Sequence, residues 1–245
     1  MRFTGQVAIV TGATGGIGMA VATRLAHEGA SVVLAARNSL KLAQAQAQLQ
    51  AAGAPAVFCS TCDVSHEDQV RNTVDETIAR FGRLDVVVNN AGVMNFKPLE
   101  EQTAEDWNSV LGVDLLGAFF FIKHAFRVMI HGGAIVNVSS VHAVETSPLI
   151  APYAAAKTAL LSLTRSAALE GKPRHIRVNA VLPGAIDTPM LWDNPNIKSG
   201  VEKIDQRDVG QPENVAAAIT YLASPDAAFV QGAMLRVDGG RLDRL

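Results

Sequence analysis

Seven short runs of apolar residues alternate with longer stretches in which apolar and polar positions recur every three to four residues. The short runs are typical of strands that are buried on both faces, and the longer stretches have the period of amphipathic helices. The predicted strands cover residues 7–10, 31–35, 56–59, 84–88, 134–138, 176–181 and 234–237, and the predicted helices cover residues 16–28, 39–52, 67–81, 104–130, 151–171 and 212–223.

This alternation predicts an α/β fold: a doubly wound, seven-stranded parallel sheet with helices on both faces. Pro212 stands where the last helix should begin, as is common for proline in a first helical turn. We expect one domain over residues 1–245. The connection at about residues 185–210 has no clear period, and a loop of that length is typical of a substrate lid.

Composition and charge limit the classes of partner that we expect the protein to bind. The chain has 245 residues, a formal net charge of −2 and 49% hydrophobic residues. Near-neutral charge without a long basic run disfavours nucleic acid or an anionic membrane as the main partner. The first residues enter a strand-like run without a signal-peptide pattern. We expect no apolar stretch to approach the roughly 20 residues that a membrane helix needs, because Asp114 interrupts the longest one. We therefore expect a cytoplasmic protein that does not bind membranes.

The two cysteines, Cys59 and Cys62, form a C-x-x-C pattern. A structural zinc site usually has four ligands, and the chain has no second cysteine pair. Residues three apart on a strand also point to opposite faces of the sheet. We therefore expect two free thiols and no metal site.

A glycine-rich loop, T11-G-A-T-G-G-I-G18, follows the first strand and precedes a helix. Glycines at 12, 16 and 18 allow a tight turn and let backbone N–H groups approach a pyrophosphate at the positive end of the helix. The spacing G-x-x-x-G-x-G differs from the G-x-G-x-x-G of many dinucleotide enzymes. It resembles that of the short-chain dehydrogenase/reductase family, whose members of this size are single Rossmann domains.

Further motifs extend this resemblance over essentially the whole chain: C62-D-V64, N89-N-A-G92 and N179-A-V-L-P-G-A-I-D-T188. The resemblance implies an oxidoreductase that interconverts a secondary alcohol and a ketone with NAD(P). The residues that it implies for cofactor binding are Gly12, Thr14, Gly16, Ile17, Gly18, Arg37, Asp63, Val64, Asn90, Ala91, Gly92, Tyr153, Lys157, Pro183, Gly184, Ile186 and Thr188.

The end of the second strand bears on the choice of cofactor. Ala36 stands where family members that prefer NAD usually carry Asp, and Arg37 follows it. An acidic residue here would bind the ribose 2′-OH of NAD, whereas an arginine accommodates the 2′-phosphate of NADP. We therefore expect NADP to be preferred. NAD stays as the alternative, because position 15 is a glycine and not the extra basic residue that some NADP-dependent members have.

Ser140, Tyr153 and Lys157 match the catalytic set of the family. Tyr153 and Lys157 are four residues apart on a predicted helix, so they share a face, and Ser140 precedes Tyr153 by 13 residues. A tyrosine can serve as the general acid and base only if its pKa falls from about 10 toward neutrality. One positive charge roughly 4 Å away supplies about 4 kcal/mol at an effective dielectric of about 20, or about 3 pKa units. Lys157 and the cationic nicotinamide ring can share that task, and Ser140 would hydrogen-bond the substrate oxygen.

Asp114 is the one charged residue between positions 107 and 122. V113-D-L-L-G117 resembles the family pattern V-N-L-x-G, whose Asn completes a Ser–Tyr–Lys–Asn set and holds a proton-relay water on its backbone carbonyl. Gly112 and Gly117 predict a local bend.

Three interpretations of Asp114 are open. If the backbone carbonyl alone matters, Asp replaces Asn without consequence. If the carboxylate is ionised roughly 8 Å from Tyr153, it raises the pKa of the tyrosine by about 1.5 units and moves the activity optimum upward in pH, which is our prediction. If burial keeps the carboxyl protonated, it resembles an Asn.

The substrate is less well defined by the sequence. Candidate pocket residues are His142, Met94, Met190 and Trp192, with Glu145 nearby. His142 resembles the carboxylate-binding His of 3-hydroxybutyrate dehydrogenases, but Met94 and Ile150 stand where those enzymes have polar partners. S139-S-V-H142 also resembles bacterial glucose dehydrogenases, and 3-oxoacyl-thioester reductases share this layout.

A second class of function is a nucleotide-binding regulator that has lost its chemistry, and Asp114 is the feature that favours it. The resemblance also implies a homotetramer in which helices near 104–130 and 151–171 pair between subunits. Ala154, Ala156, Ala159, Ala167 and Ala168 would allow close packing there or in a plain buried helix.

Overall fold

A single seven-stranded sheet forms the centre of the structure, a computed structural model that describes residues 1–243. The strands are β1 (Val7–Thr11), β2 (Ser31–Ala36), β3 (Val57–Thr61), β4 (Val86–Asn89), β5 (Gly133–Val138), β6 (Ile176–Pro183) and β7 (Met234–Val237). Their order across the sheet is β3-β2-β1-β4-β5-β6-β7, and every neighbouring pair is parallel. The predicted doubly wound fold is confirmed. The predicted domain extends to residue 245, and positions 244 and 245 lie outside the described residues.

The sheet is buried on both faces because successive strand residues point to opposite sides. In β1, Ala8 and Val10 belong to one apolar core, and Val7 and Ile9 belong to the other. The first core contains buried residues of α1 (Gly16–His27), α2 (Ser39–Ala51) and α9 (Pro212–Ala223). The second contains buried residues of α3 (Glu67–Phe81), α5 (Gly117–Val128) and α6 (Ala151–Gly171).

The stretch predicted as one helix over 104–130 has three parts. α4 (Ala104–Leu111) begins with a capping box, in which the Thr103 side chain accepts from the Asp106 backbone N–H and the Asp106 carboxylate accepts from the Thr103 backbone N–H. A π-helical segment, Gly112–Leu116, then joins α4 to α5. Such segments occur often at functional sites, and Asp114 lies in the middle of this one.

The region Ala104–Val128 is 25 residues long, and its most apolar 18-residue window has a mean hydropathy of 1.5, so by length and composition it could span a membrane. The expectation that no stretch reaches this length was wrong, because the π-helical segment keeps the helix continuous through Asp114. A helix that covers a sheet passes the same test, and 44% of the most apolar window is buried against the rest of the chain.

Cys59 in the edge strand β3 and Cys62 directly after that strand pack against opposite faces of the sheet. The Cys59 thiol contacts the carbonyl of Leu42 on α2, whereas Cys62 belongs to the core that contains α3. Both thiols are free, as expected, and burial raises the pKa of each.

The connection 185–210 contains two short helices, α7 (Pro189–Trp192) and α8 (Pro195–Lys198), which its sequence did not predict. Its two ends are joined by a bridge between Ile186 and Gly210. Each short helix begins with a proline in its first turn, and each is only four residues long, which is too short for a hydrophobic period to be visible.

Candidate active site

A cleft of about 460 Å³ opens at the carboxyl ends of β1, β4, β5 and β6. The chain leaves β1 toward β2 on one side and leaves β4 toward β5 on the other, so the order of the strands reverses between these two neighbours. Parallel sheets bind ligands at such a switch point. Thirteen residues of the predicted cofactor set line this cleft: Gly12, Thr14, Gly16, Ile17, Asn90, Ala91, Gly92, Tyr153, Lys157, Pro183, Gly184, Ile186 and Thr188.

The glycine loop forms a cradle that side chains would block. Gly12 and Gly16 have φ values of 63° and 49°, a region that residues with a Cβ rarely adopt. Gly18 does not line the cleft, and a Cβ on it would lie 2.4 Å from the Gly12 carbonyl oxygen. The Asn90 side chain donates to the Thr11 carbonyl at 2.9 Å and so ties the loop to β4. An open backbone cradle at the start of a twelve-residue helix fits a pyrophosphate.

The residues predicted for the adenosine end lie outside the cleft. Arg37 is exposed at the end of β2. Asp63 accepts hydrogen bonds from the Ser65 backbone and hydroxyl; burial opposes its ionisation, but these bonds and the charge of Arg37 outweigh burial and lower the pKa of Asp63. Val64 packs beneath the π-helical segment, close to Gly117. Lys41, which sequence reasoning missed, does line the cleft.

Ser140, Tyr153 and Lys157 come together in the cleft, and all three side chains are buried. Pro152 lies in the first turn of α6, and one helical turn separates Tyr153 from Lys157. The Lys157 ammonium lies 5.5 Å from the centre of the Tyr153 ring and donates to the Val138 carbonyl at 3.0 Å. Ser140 follows β5, which ends at Val138.

The pKa of Tyr153 is raised, which differs from the expectation that Lys157 brings it toward neutrality. Burial raises this pKa most, Lys157 lowers it, Asp114 raises it and a hydrogen bond with Ser140 lowers it. Burial also opposes the charge on Lys157, but the attraction of Asp114 and of Tyr153 outweighs burial, so the pKa of Lys157 is raised. The protein side chains alone therefore keep a proton on Tyr153 at neutral pH.

Asp114 contacts Lys157 directly, which the sequence interpretations did not foresee. Its Oδ2 lies 3.2 Å from the Lys157 Nζ, and its Oδ1 accepts from the Val93 backbone N–H at 2.8 Å. The side chain is fully buried, and burial raises the pKa of the carboxyl although Lys157 and the Val93 hydrogen bond lower it. When ionised, this carboxylate raises the pKa of Tyr153 directly and also attracts the positive charge of Lys157. A Cβ on Gly92 would lie 3.1 Å from Oδ2, so the Asp114 side chain would have to shift to make room for it.

Of the predicted substrate residues, His142, Met94 and Met190 line the cleft. Trp192 does not; its indole N–H donates to Asp187 at 2.7 Å, and the side chain is partly exposed. Glu145 is exposed, and Ile150 is fully buried beneath Tyr153. Sequence reasoning missed Asn194, Glu202 and Arg241, which also line the cleft. Glu202 lies in the connection without a clear period, and Arg241 follows the segment L235-R-V-D-G-G240, whose resemblance to the last strand of the family did not point to a cleft residue.

Comparison with known proteins decides the family. A family profile described as "Enoyl-(Acyl carrier protein) reductase" matches residues 12–241. A cis-4-hydroxycyclohexanecarboxylate dehydrogenase from Sinomonas cyclohexanicum is 43% identical, with 97% of each chain covered, and a 3-oxoacyl-[acyl-carrier-protein] reductase from Thermotoga maritima is 36% identical over 98% of this chain and 99% of the relative. The chain belongs to the short-chain dehydrogenase/reductase family.

The crystal structure of levodione reductase has the same architecture, with a TM-score of 0.93 and 34% identity over the whole of both chains. Membership of the short-chain dehydrogenase/reductase family makes the protein an oxidoreductase that acts on CH–OH and C=O groups with an NAD(P) cofactor. The relatives are named after unlike substrates, so the family assignment leaves the substrate of this chain open.

Proposed function

We propose that the protein interconverts a secondary alcohol and a ketone with NADP as the preferred cofactor, and that Tyr153 is the general acid and base. The observation that carries this proposal is the meeting of Ser140, Tyr153 and Lys157 beside the glycine cradle in one cleft. A hydroxyl, a phenol and an ammonium in contact with one pocket supply an oxygen ligand, a proton donor and a positive charge, which is what carbonyl reduction needs from the protein.

In the proposed mechanism, the Ser140 hydroxyl donates a hydrogen bond to the substrate oxygen and stabilises the charge that develops there. The Tyr153 phenol donates its proton to that oxygen during reduction and takes it back during oxidation. Lys157 stabilises the phenolate form through its charge. When bound, the nicotinamide supplies or accepts the hydride. The cleft residues Pro183, Gly184, Ile186 and Thr188 would hold the nicotinamide end.

Tyr153→Phe tests the role of the phenol. We expect kcat to fall by about 10²- to 10⁴-fold, because general acid–base catalysis contributes that much, while the Kd of the cofactor changes little. The assay follows NADPH absorbance with a panel of ketones, sugars and 3-oxoacyl esters. Near-normal activity in this variant would exclude Tyr153 as the acid. Tight cofactor binding by the wild-type protein with no turnover on any compound would favour the nucleotide-binding regulator instead.

The same panel separates the more specific alternatives. A 3-oxoacyl-thioester reductase would turn over the acyl esters fastest, and a glucose-type dehydrogenase would oxidise the sugars. We further propose that residues 185–210 act as the substrate lid, because Met190, Asn194 and Glu202 of that segment line the cleft.

Arg37→Ala tests the cofactor preference. An arginine bound to a phosphate contributes through a charge-assisted hydrogen bond, so we expect the Kd of NADPH to rise about tenfold or more and the Kd of NADH to change less than about twofold. Arg71→Ala, another exposed arginine, on α3, is the matched control. Fluorescence titration with both cofactors gives the comparison. A wild-type protein that binds NADH much more tightly than NADPH would show that the preference for NADP is wrong.

The remaining proposals concern the whole protein. We propose a cytoplasmic homotetramer with a small-molecule substrate and with neither nucleic acid nor membrane as partner. Leu116 and Phe119, which are exposed along the 104–128 helical region, support subunit pairing on that face. Light scattering of the purified protein measures the number of subunits directly.

A further inference from the structure

A polar cluster closes the end of the cleft beyond Tyr153. It consists of His142, Ser147, Glu202 and Arg241. Glu202 and Arg241 form an ion pair, and their side chains are 12% and 16% exposed. The Ser147 hydroxyl donates to the second oxygen of the Glu202 carboxylate at 3.0 Å. His142, Glu202 and Arg241 all line the cleft. Three separate parts of the chain therefore place charge and hydrogen-bonding groups at one end of a pocket.

His142 connects this cluster to the catalytic tyrosine. Its ring meets the Tyr153 ring edge-on, with 6.2 Å between the centroids. Its Nδ1 is buried and has no partner among the described residues. Burial lowers the pKa of His142 most, Arg241 lowers it as well, and Glu202 and a backbone hydrogen bond with Glu145 raise it, so the net shift favours a neutral imidazole. A buried nitrogen without a partner is costly unless a ligand pairs with it.

Three apolar side chains, those of Met94, Met190 and Leu191, also line the cleft. A ligand that fills it therefore has a hydrocarbon body with one polar group opposite the reacting carbon. The charges of Glu202 and Arg241 cancel, and His142 adds none. A carboxylate in this place would lie against the Glu202 carboxylate, which is unfavourable in a desolvated pocket.

A hydroxyl group matches the cluster better than other neutral groups. It donates one hydrogen bond and accepts others, whereas a carbonyl only accepts. The Arg241 guanidinium offers donors that Glu202 does not use, the Glu202 oxygens keep spare lone pairs, and a neutral imidazole nitrogen accepts or donates according to its tautomer. A hydroxyl can thus satisfy a donor and an acceptor of the cluster together.

We propose that His142, Glu202 and Arg241 form a subsite for an uncharged hydroxyl group, and that the substrate is a hydroxylated ketone or the corresponding diol with an apolar body. This inference rests on the proposed function and specifies its substrate class.

Three ketones of one ring size test the subsite: cyclohexanone, 4-hydroxycyclohexanone and 4-oxocyclohexanecarboxylate. For the wild-type protein with NADPH, we expect kcat/KM to be about tenfold higher for the hydroxyketone than for cyclohexanone, because one hydrogen bond to a desolvated site contributes that much. The carboxylate compound should be the poorest of the three. A wild-type protein that prefers the carboxylate, or that does not distinguish the hydroxyketone from cyclohexanone, would overturn the proposal.

Glu202→Gln and Arg241→Met locate the effect. Each should reduce the preference for the hydroxyketone to about twofold or less, and Glu202→Gln should in addition improve the use of the carboxylate compound. Asp193→Asn is the matched control, because Asp193 belongs to the same segment and pairs with Lys198 at 3.0 Å but is exposed and does not line the cleft. An unchanged preference in both cluster variants would assign the selectivity to another part of the pocket and overturn the subsite.

Binding to the Tyr153→Phe variant separates this proposal from the proposed activity. Calorimetric titration of that variant, saturated with NADP, with cyclohexanol, cyclohexane-1,4-diol and 4-hydroxycyclohexanecarboxylate measures the subsite without turnover. Tightest binding of the diol, together with no turnover in the wild-type protein, would support the subsite and contradict the activity. Turnover by the wild-type protein without a preference for the hydroxyketone would support the activity and contradict the subsite.

Discussion

At the scale of single residues, the two oxygens of Asp114 have unequal surroundings. Oδ1 accepts a backbone hydrogen bond, whereas Oδ2 faces the Lys157 ammonium at 3.2 Å without a hydrogen bond of good geometry. A buried carboxylate in this position offsets part of the attraction between the Lys157 ammonium and the Tyr153 phenolate. Burial is the main reason why the pKa of Tyr153 lies above its ordinary value, and the charge of Asp114 raises this pKa further against the effect of Lys157.

Asp114→Asn should move the pH profile of alcohol oxidation to lower pH. Oxidation needs the phenolate as base, and the phenolate forms only as the pH rises through the pKa of Tyr153. Removal of the Asp114 charge lowers that pKa, so the midpoint of the rising limb should fall by about one unit or more. The measurement is kcat/KM for an alcohol between pH 6 and pH 11, within the stable range of both proteins. Superimposable profiles would mean that the carboxylate has no electrostatic role.

Asp85→Asn provides the control for this experiment. The Asp85 carboxylate also accepts a backbone N–H, that of Val7 at 2.9 Å, and pairs with an arginine, Arg83. It lies beside the first residue of β1, at the end of the sheet opposite the cleft. We expect this substitution to change stability and leave the pH profile in place.

At the scale of secondary structure elements, α4 and the π-helical segment position Asp114 against Lys157, which lines the cleft. α4 begins with the capping box of Thr103 and Asp106, and Lys97 pairs with Asp106 at 2.7 Å. The Lys97 contact and the Thr103 hydrogen bonds lower the pKa of Asp106 to about 2. The charge at the start of this helix therefore persists to unusually low pH.

Asp106→Asn should remove a contribution to stability that depends on pH. Because the pKa of Asp106 is lowered on folding, the charge stabilises the fold above the unfolded value of 3.8 and loses this effect as the pH falls through about 2. Urea unfolding should show the wild-type protein to be more stable than the variant at neutral pH and equal to it near pH 2. Glu105→Gln, which removes a carboxylate from the same first turn, is the control and should show a smaller difference.

Sequence periodicity predicted the elements well where they are long and bury one face. All seven strands and the six long helical regions lie where the apolar pattern placed them. It did not predict the π-helical segment, because one extra residue in a turn leaves the apolar pattern nearly unchanged. The ion pair between Asp114 and Lys157 depends on that extra residue and on the packing of α6. The sequence alone therefore indicated the charge of Asp114 and not its contact with Lys157.

The same distinction holds within the candidate site. Motif residues such as Ser140 and Tyr153 could be predicted because their chemistry fixes both residue type and spacing. Glu202 and Arg241 come from segments without a repeating pattern, and only the folded chain brings them together. Trp192 was misplaced because the α7 turn directs its indole to Asp187.

At the scale of the whole molecule, the cleft joins both halves of the sheet, so cofactor binding should stabilise the fold as a unit. A ligand present at 100 times its Kd adds about 2.7 kcal/mol to the free energy of unfolding. For a chain of this size we expect NADPH to raise Tm by roughly 5 °C or more. Differential scanning fluorimetry with and without NADPH measures this shift.

Gly18→Ala should abolish that stabilisation. A Cβ at this position would lie 2.4 Å from the Gly12 carbonyl and 2.6 Å from the Asn90 side chain, so the cradle must deform. Gly15→Ala in the protein without cofactor is the control for folding, because its Cβ would meet nothing within 4 Å. An unchanged NADPH-dependent rise in Tm in Gly18→Ala would show that the loop does not hold the cofactor.

The two thiols pack against opposite faces of the sheet at its edge, so the rate at which each is labelled measures local opening of that face in solution. Cys59 is partly buried beneath α2, and Cys62 is buried in the core that contains α3, so each sulfur should react faster with a thiol reagent when the corresponding helix separates from the sheet. The rates of labelling of Cys59→Ser and Cys62→Ser variants would then time the opening of each face separately. The two cysteines of the C-x-x-C pattern, which in our interpretation bind no metal and have no redox role, thus report on local unfolding at each face of the sheet.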